Sequence, residues 1–429
     1  MPFQDGRYDA RDRLWLGVNS VQLISLAEPL DLDGLRARVR ALAEQDPGLA
    51  YFRRPGAAAD RYRQAADGPT AASVLPEVRV LDAGSGPGTP LEAAMSAVMT
   101  ADEGTPVAEV FAFDDLVGHK FPHVFGDGLS AATHLRRLGT GPEPGSALPF
   151  PIPGLTHPVE RAMRSRYLAS GALKAPGLVR RDLDLERFAP PAEATGPDDV
   201  AWNPAAGTGD RAAENTVQVV IRQLDPEGGA ALKAWRKQHG AGASAASVQL
   251  AAIRRGLADA GVIPAEDGMF VVYDLRHTLH PAPVGGNFIS VPYLKPTSSL
   301  DPVAINTAMK AANASGLPLV QLARGTAKAA LSRNHDLPRM RQPANRRDVS
   351  FSHMRVEGML PTSVVGRPDG TAQIVAAAMP PNVGSLSFQI VEHGPYVTVT
   401  AVFCSPFTPR EGVEEALTRF AKDPVALLS

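Results

Sequence analysis

The chain has 429 residues, 44% hydrophobic and 21% charged, with a formal net charge of -2 at pH 7. That size and apolar fraction supply cores for two or three domains, and the near-neutral balance without a long basic run excludes a nucleic-acid binder that clusters Lys and Arg on phosphates. The single cysteine, Cys404, excludes an intramolecular disulfide and a multi-cysteine metal site, and no run reaches the roughly 18 apolar residues of a membrane span.

In chain order, Met1 to Arg13 is polar and lacks the apolar core of a signal peptide, so a cytoplasmic location is expected. Val21 to Leu26 reads as a strand. Asp33 to Gln45 reads as a helix capped by Asp33, with Leu35, Val39 and Leu42 on one face and Pro47 beyond its end. Val78 to Leu81 is strand-like and runs into Asp82-Ala83-Gly84-Ser85-Gly86-Pro87-Gly88, with a helix expected over Leu91 to Thr100. This strand, glycine-rich turn and helix resemble the first motif of S-adenosylmethionine-dependent methyltransferases, with Asp114 as the acidic residue such a site would need. Glycine-rich matches arise easily in a chain with 39 glycines, and that reading leaves the next motif unexplained.

Val107 to Phe113 and Leu116 to Phe121 read as two short strands turning at Asp114-Asp115, and Pro122 suits the second strand's end. Then comes His123-Val124-Phe125-Gly126-Asp127-Gly128. Leu129, Ala131, Ala132, Leu135 and Leu138 follow at helical spacing until Gly139, so Asp127 can cap that helix. An imidazole on a loop between rigid elements can take a proton from an attacking hydroxyl or amine. Gly126 and Gly128 leave room for a ligand, and Asp127 orients the loop if an arginine elsewhere neutralises it. The six residues alone fit equally a general base and a solvated histidine beside a helix cap.

Segments 141–153 and 189–215 are rich in turn formers, with a helix expected at Val159 to Leu168 between them. The expected division is an N-terminal half over 1–165, a linker over 166–215 and a C-terminal half over 216–429. The second half restarts with a strand at Thr216 to Arg222 and a helix after Asp225-Pro226 carrying Leu232 and Trp235, then a helix at Ala245 to Ala260. Strands are expected at Met269 to Tyr273, Asn287 to Tyr293, Asp348 to Arg355, Gln373 to Ala378, Ser385 to Glu392 and Tyr396 to Phe403. Thr408 is the expected cap of a closing helix over Pro409 to Lys422. Cys404 ends an apolar strand and reads as a small packed hydrophobe. His277 with His280, and His119 with His123, lack a third ligand, so no metal site is expected, and no Gly-x-Ser-x-Gly elbow suggests a serine triad.

His123 to Gly128 resembles the HxxxDG signature of the chloramphenicol acetyltransferase-like superfamily, which includes condensation domains of peptide synthetases, wax ester synthase/diacylglycerol acyltransferases and polyketide-associated acyltransferases. Asp12-Arg13-Leu14-Trp15-Leu16, Val21 to Leu26 and Pro29 to Leu35 are similar to that family's opening strand and helix. Tyr273-Asp274-Leu275-Arg276, Gly285-Gly286-Asn287-Phe288 and Asp348 to His353 are similar to three later motifs, in order. Many members carry two consecutive histidines, and Pro122 stands at the first position here.

The resemblance implies an α/β fold of two related subdomains, each of mixed sheet plus helices, with a tunnel between them. It implies an acyltransferase with no permanently bound cofactor. The donor would be acyl-coenzyme A or a phosphopantetheinyl carrier protein, and the acceptor a hydroxyl or an amine. His123 is then the base, with Asp127 and Gly128 in its motif and Arg276 as the partner of Asp127. Asn287 or Ser352 would be the oxyanion donor, with Ser350 and His353 as neighbours that could substitute. A non-catalytic docking module is the alternative, and an open tunnel ending at His123 would favour catalysis over it.

Overall fold

The computed structural model describes residues 3–26, 31–47, 49–56, 61–81, 88–100, 108–140, 157–168, 217–265, 268–279, 284–331, 349–357, 359–360, 365–366, 371–380, 384–405 and 407–429. Residues 82–87, the segment 141–153, nearly all of the expected linker, Thr216, His280 and Asp348 lie outside them.

The first eight strands are β1 (Phe3–Arg7), β2 (Asn19–Ser25), β3 (Arg53–Pro55), β4 (Arg61–Ala65), β5 (Val78–Val80), β6 (Glu109–Phe113), β7 (Leu116–Pro122) and β8 (Val217–Leu224), with β-branched and aromatic residues dense in β6 and β8. The later strands are β9 (Met269–Val271), β10 (Tyr273–Asp274), β11 (Ile289–Ser290), β12 (Tyr293–Leu294), β13 (Val349–Arg355), β14 (Ile374–Ala378), β15 (Leu386–His393) and β16 (Tyr396–Cys404). One mixed sheet has the order β14-β2-β7-β6-β5 and a second β12-β9-β13-β15-β16-β8; β1-β4-β3 form a small third sheet and β10-β11 a separate pair. Every residue of β2 and β7 is buried, as strands covered on both faces must be.

Helices Leu32–Gln45 and Gly128–Thr140 close the outer face of the first sheet, where Leu35, Val39 and Leu42 meet Leu135, Leu138, Val110 and Val117. Helices Ala245–Asp259 and Arg410–Lys422 close the second, through Ile253, Leu257, Val413, Leu417 and Phe420 on Phe351, Phe388 and Val399. A third cluster lies between the sheets and joins Val21, Leu23 and Phe111 to Val219, Val375 and Val402, with the helix Pro90–Thr100 adding Met95 and Val98. Cys404 is fully buried in it, packed as a hydrophobe.

The structure departs from the sequence expectations in several places, the small sheet β1-β4-β3 among them. β14 was expected in the C-terminal half, but it pairs antiparallel with β2 in the first sheet, Ala378 opposite Ser20, so the chain crosses between sheets. Asp31, not Asp33, caps its helix: extended backbone at Asp31 lets its carboxylate accept from Asp33 N at 3.1 Å and Gly34 N at 3.0 Å. Thr408 is buried and makes no cap, because Pro409 holds that position. Each strand expected at 269–273 and 287–293 is split in two, the latter where Pro292 brings no backbone donor. Helices Pro302–Ser315 and Leu317–Leu331 go beyond the sequence expectations: the buried residues of the second crowd into Leu317 to Leu322 and draw no helical stripe along its length. Finally, β5 is an edge strand paired only with β6, which overturns the methyltransferase reading: that turn belongs inside a doubly wound parallel sheet.

Behind the motif loop, His119 and His134 are buried with Tyr51 and Phe121. Burial lowers the His134 imidazole to about 4. Its ordinary value in the unfolded chain is near 6.5. Between those values the unfolded state binds a proton that the folded state refuses, so stability is full above pH 6.5 and is lost as pH falls toward 4. At about 1.4 kcal/mol per pH unit, the loss is about 3 kcal/mol. In urea titrations at pH 7 and pH 4, His134→Phe should lose about that much less stability than the wild type; parallel losses would refute this origin.

Candidate functional site

Pro122 ends β7, and residues His123–Phe125 form a single 3-10 turn anchored by His123 N donating to Val18 O at 2.8 Å. Gly126 follows, and Asp127 starts the helix Gly128–Thr140 by accepting from Ser130 N at 3.4 Å through Oδ1 and from Ala131 N at 2.9 Å through its carbonyl. His123 therefore sits where strand passes to helix, as expected. A Cβ on Gly128 would stand 2.8 Å from Met354 Sδ on the second sheet, so glycine permits that close approach.

The loop is tied to the C-terminal half at three points. Asp127 Oδ2 accepts from Arg276 at 2.8 Å and from Phe288 N at 3.2 Å, and the carboxylate is 2% exposed. Arg276 is fixed in turn by donating to Val284 O at 3.1 Å, Gly286 O at 2.8 Å and Asp274 Oδ1 at 3.2 Å. Burial works against the guanidinium's charge, but Asp127 and Asp274 outweigh it and raise its pKa above the ordinary value. The third tie is Asn287, whose Oδ1 lies 2.8 Å from His123 Nδ1 and whose Nδ2 donates to His123 O at 2.7 Å.

Asn287 also settles the tautomer. Its amide hydrogens face two acceptors, His123 O and Asp12 Oδ1, the latter at 3.1 Å, so its oxygen must face the imidazole. Nδ1 of His123 is then the donor, and Nε2 carries the lone pair. Asp12 accepts from Asn287 N as well, at 2.9 Å. Burial raises the Asp12 carboxyl, with Arg11 pulling it back. Trp15 stacks on the imidazole with ring centroids 4.3 Å apart and planes at 17°. Burial lowers the His123 pKa; the charge of Asp127 and the bond to Asn287 offset this in part, and the ring is held neutral near pH 7.

His123, Asp127, Gly128, Arg276 and Ser352 all line one cavity of about 600 Å³ between the two sheets. Its walls come from Ser20 and Gln22 of β2, Ala376 to Ala378 of β14, and inward residues of β9, β13 and β15. Asn287, expected as an oxyanion donor, is not among the residues that line it. It is fully buried with both amide hydrogens engaged, so it positions His123. Ser352 faces the cavity from β13, whereas Ser350 Oγ donates to Leu386 O at 3.3 Å and His353 Nε2 lies 3.1 Å from Glu392 Oε1. Asp12 and Trp15 were quoted in a motif without a role. Asp12 meets Asn287 across 275 positions, a distance over which no local pattern speaks.

Among the described residues, no helix is long and apolar enough to cross a membrane, and no group of three or more His, Cys, Asp or Glu could hold a metal ion.

No family model and no curated protein matches the chain. Solved structures do. A trichothecene 15-O-acetyltransferase from Fusarium sporotrichioides is similar at TM-score 0.65 and 13% identity, over 99% of this chain and 95% of that one. Polyketide synthase associated protein 5 from Mycobacterium tuberculosis is similar at TM-score 0.57 and 15% identity, over 97% and 98%. The cyclization-docking bidomain of the EpoB nonribosomal peptide synthetase from Sorangium cellulosum is similar at TM-score 0.56 and 15% identity, over 99% and 84%. At such identities the shared property is the fold.

Proposed function

We propose that this chain, which has the chloramphenicol acetyltransferase-like fold, is an acyltransferase that moves an acyl group from a thioester to a hydroxyl or amine. The observation that carries this reading is His123 itself: its Nδ1 is committed to Asn287, its ring is neutral, and it lines a cavity large enough for reacting groups from two substrates. Nε2 takes the proton of the acceptor as the acceptor attacks the thioester carbonyl. The tetrahedral oxyanion that forms is met by Ser352 Oγ, and its collapse expels the thiolate, which recovers the proton from the imidazolium. Asp127 with Arg276 holds the loop, and Asn287 with Asp12 holds the ring. Much of the rate comes from aligning two substrates in one enclosed space.

The donor is acyl-coenzyme A or an acylated phosphopantetheinyl carrier protein, and no resident cofactor is needed for these steps. A docking module would not need a cavity at the histidine; the open space lined by His123 favours catalysis.

A thermal-shift series tests the reading with coenzyme A, short and long acyl-coenzyme A, an acylated carrier protein and S-adenosylmethionine. A ligand at 100 times its dissociation constant adds about 2.7 kcal/mol. Stabilisation by acyl-coenzyme A, or by the carrier alone, is the expected result and names the donor class. A rise with S-adenosylmethionine only, or silence from all of them, would overturn the proposal.

A further inference from the structure

The second sheet turns polar side chains into the His123 cavity, and apart from Ser352 the steps above leave them unused. In register, Ser350 stands beside Ser387 and Ser352 beside Gln389 on the neighbouring strands β13 and β15, and Thr400 of β16 extends the second row. The four residues of β13 and β15 all line the cavity. Ser387 is 4% exposed and Gln389 9%, so both are buried in the protein. Among the described residues neither makes a side-chain hydrogen bond within the protein, and both open onto the cavity; Thr400 Oγ1, by contrast, is sealed from solvent without a partner.

A strand between packed layers ordinarily turns apolar residues inward on both faces. β15 does so on its helix-covered face, where Leu386, Phe388 and Ile390 enter the core. Its cavity face breaks that rule at two successive inward positions. A hydroxyl or amide that opens onto a cavity bonds either water or a ligand that displaces it, so Ser387 and Gln389, side by side on one face with no protein partner, offer a polar strip that a ligand can complete. The row carries no formal charge. Its complement is a neutral group that both donates and accepts, an amide or a hydroxyl, in preference to a phosphate, carboxylate or ammonium.

We infer that Gln389 and Ser387 form a specificity subsite for a neutral, amide- or hydroxyl-bearing portion of a substrate held at His123. The inference rests on the acyl-transfer reading of this cavity. Two sources carry such chemistry: the amides of a pantetheine arm on the donor, and hydroxyls or amides of the acceptor beyond the group acylated.

The test compares wild type with Gln389→Leu, which keeps the volume and removes the amide, and with Ser387→Ala in case the first variant does not fold. Calorimetric titration with pantetheine and with hexanethiol reads the donor arm and needs no turnover. Transfer from acetyl-coenzyme A to neutral polyols and to plain alcohols of equal chain length reads the acceptor arm. Loss of about tenfold in the preference for pantetheine over hexanethiol assigns the subsite to the donor, and the same loss for polyol over alcohol assigns it to the acceptor. Preferences unchanged in a folded variant, in both arms, overturn the inference. If wild type transfers to no acceptor, the acyl-transfer reading fails separately, and the titration alone decides the subsite.

Discussion

Replacing His123 with alanine lowers kcat/KM for acyl transfer by about 10² to 10⁴ while the protein still folds. The loss is the removal of one positioned base. On the proposed mechanism Ser352, the cavity and substrate alignment remain, which sets the residual rate. The fold survives because the loop keeps its ties from Asp127 to Arg276 and to Phe288 N. What the variant loses structurally is the stack on Trp15 and one bond to Asn287, whose stranded oxygen costs about 1 to 3 kcal/mol. The pH profile of the wild type follows from the same site. Burial lowers the His123 pKa, so the base form persists as pH falls past 6.5, and kcat/KM declines only at more acidic pH, as one proton is taken up. Steady-state kinetics with circular dichroism on each variant make the measurement. Turnover near the wild-type rate in a folded alanine variant would remove His123 from the mechanism.

Glu92→Ala destabilises the protein by about 3 kcal/mol, because it removes a fully buried carboxylate that holds two partly buried arginines and two backbone N–H groups. Glu92 is fully buried on the helix Pro90–Thr100. Its Oε1 accepts from Arg222 at 2.8 Å and Ile221 N at 2.7 Å, and its Oε2 from Arg410 at 2.7 Å and Thr89 N at 2.8 Å. One carboxylate thus joins a helix of the N-terminal half to β8 and to the closing helix. Gly88 belongs to the same device. Its φ of +96° is one that side chains rarely adopt, and a Cβ there would overlap the Arg410 guanidinium and the Glu92 carboxylate. The last glycine of the methyltransferase-like stretch therefore serves an ion-pair cluster. Urea unfolding at pH 7 measures the effect, and a loss below about 1 kcal/mol would show that the cluster does not hold the halves together.

Much of the architecture was legible because burial imposes period on sequence. The two short strands turning at Asp114-Asp115 and the helical stripe after Gly128 located the strand-to-helix handover that carries His123, and the family resemblance implied Arg276 as the partner of Asp127, with which it pairs. The same reasoning misses Pro302–Ser315, whose buried face mixes Ile305 with Asn306 and Ala312, and Leu317–Leu331, whose buried residues sit together in its first turns and mark no stripe.

What the sequence determined by itself was local: which segments are strands and helices, which loop holds the histidine, and which residue types can do its chemistry. What the tertiary structure decided was partnership. Period tells a strand which face to bury but not which sheet to join, so β14 could be recognised as a strand and still be assigned to the wrong half. Asn287 could be singled out as polar and functional, yet its duty depends on where its amide hydrogens end, and those are taken by His123 O and by Asp12 at the other end of the chain. Hydrogen bonds form between groups that folding brings within about 3 Å, and no spacing along the chain encodes that distance.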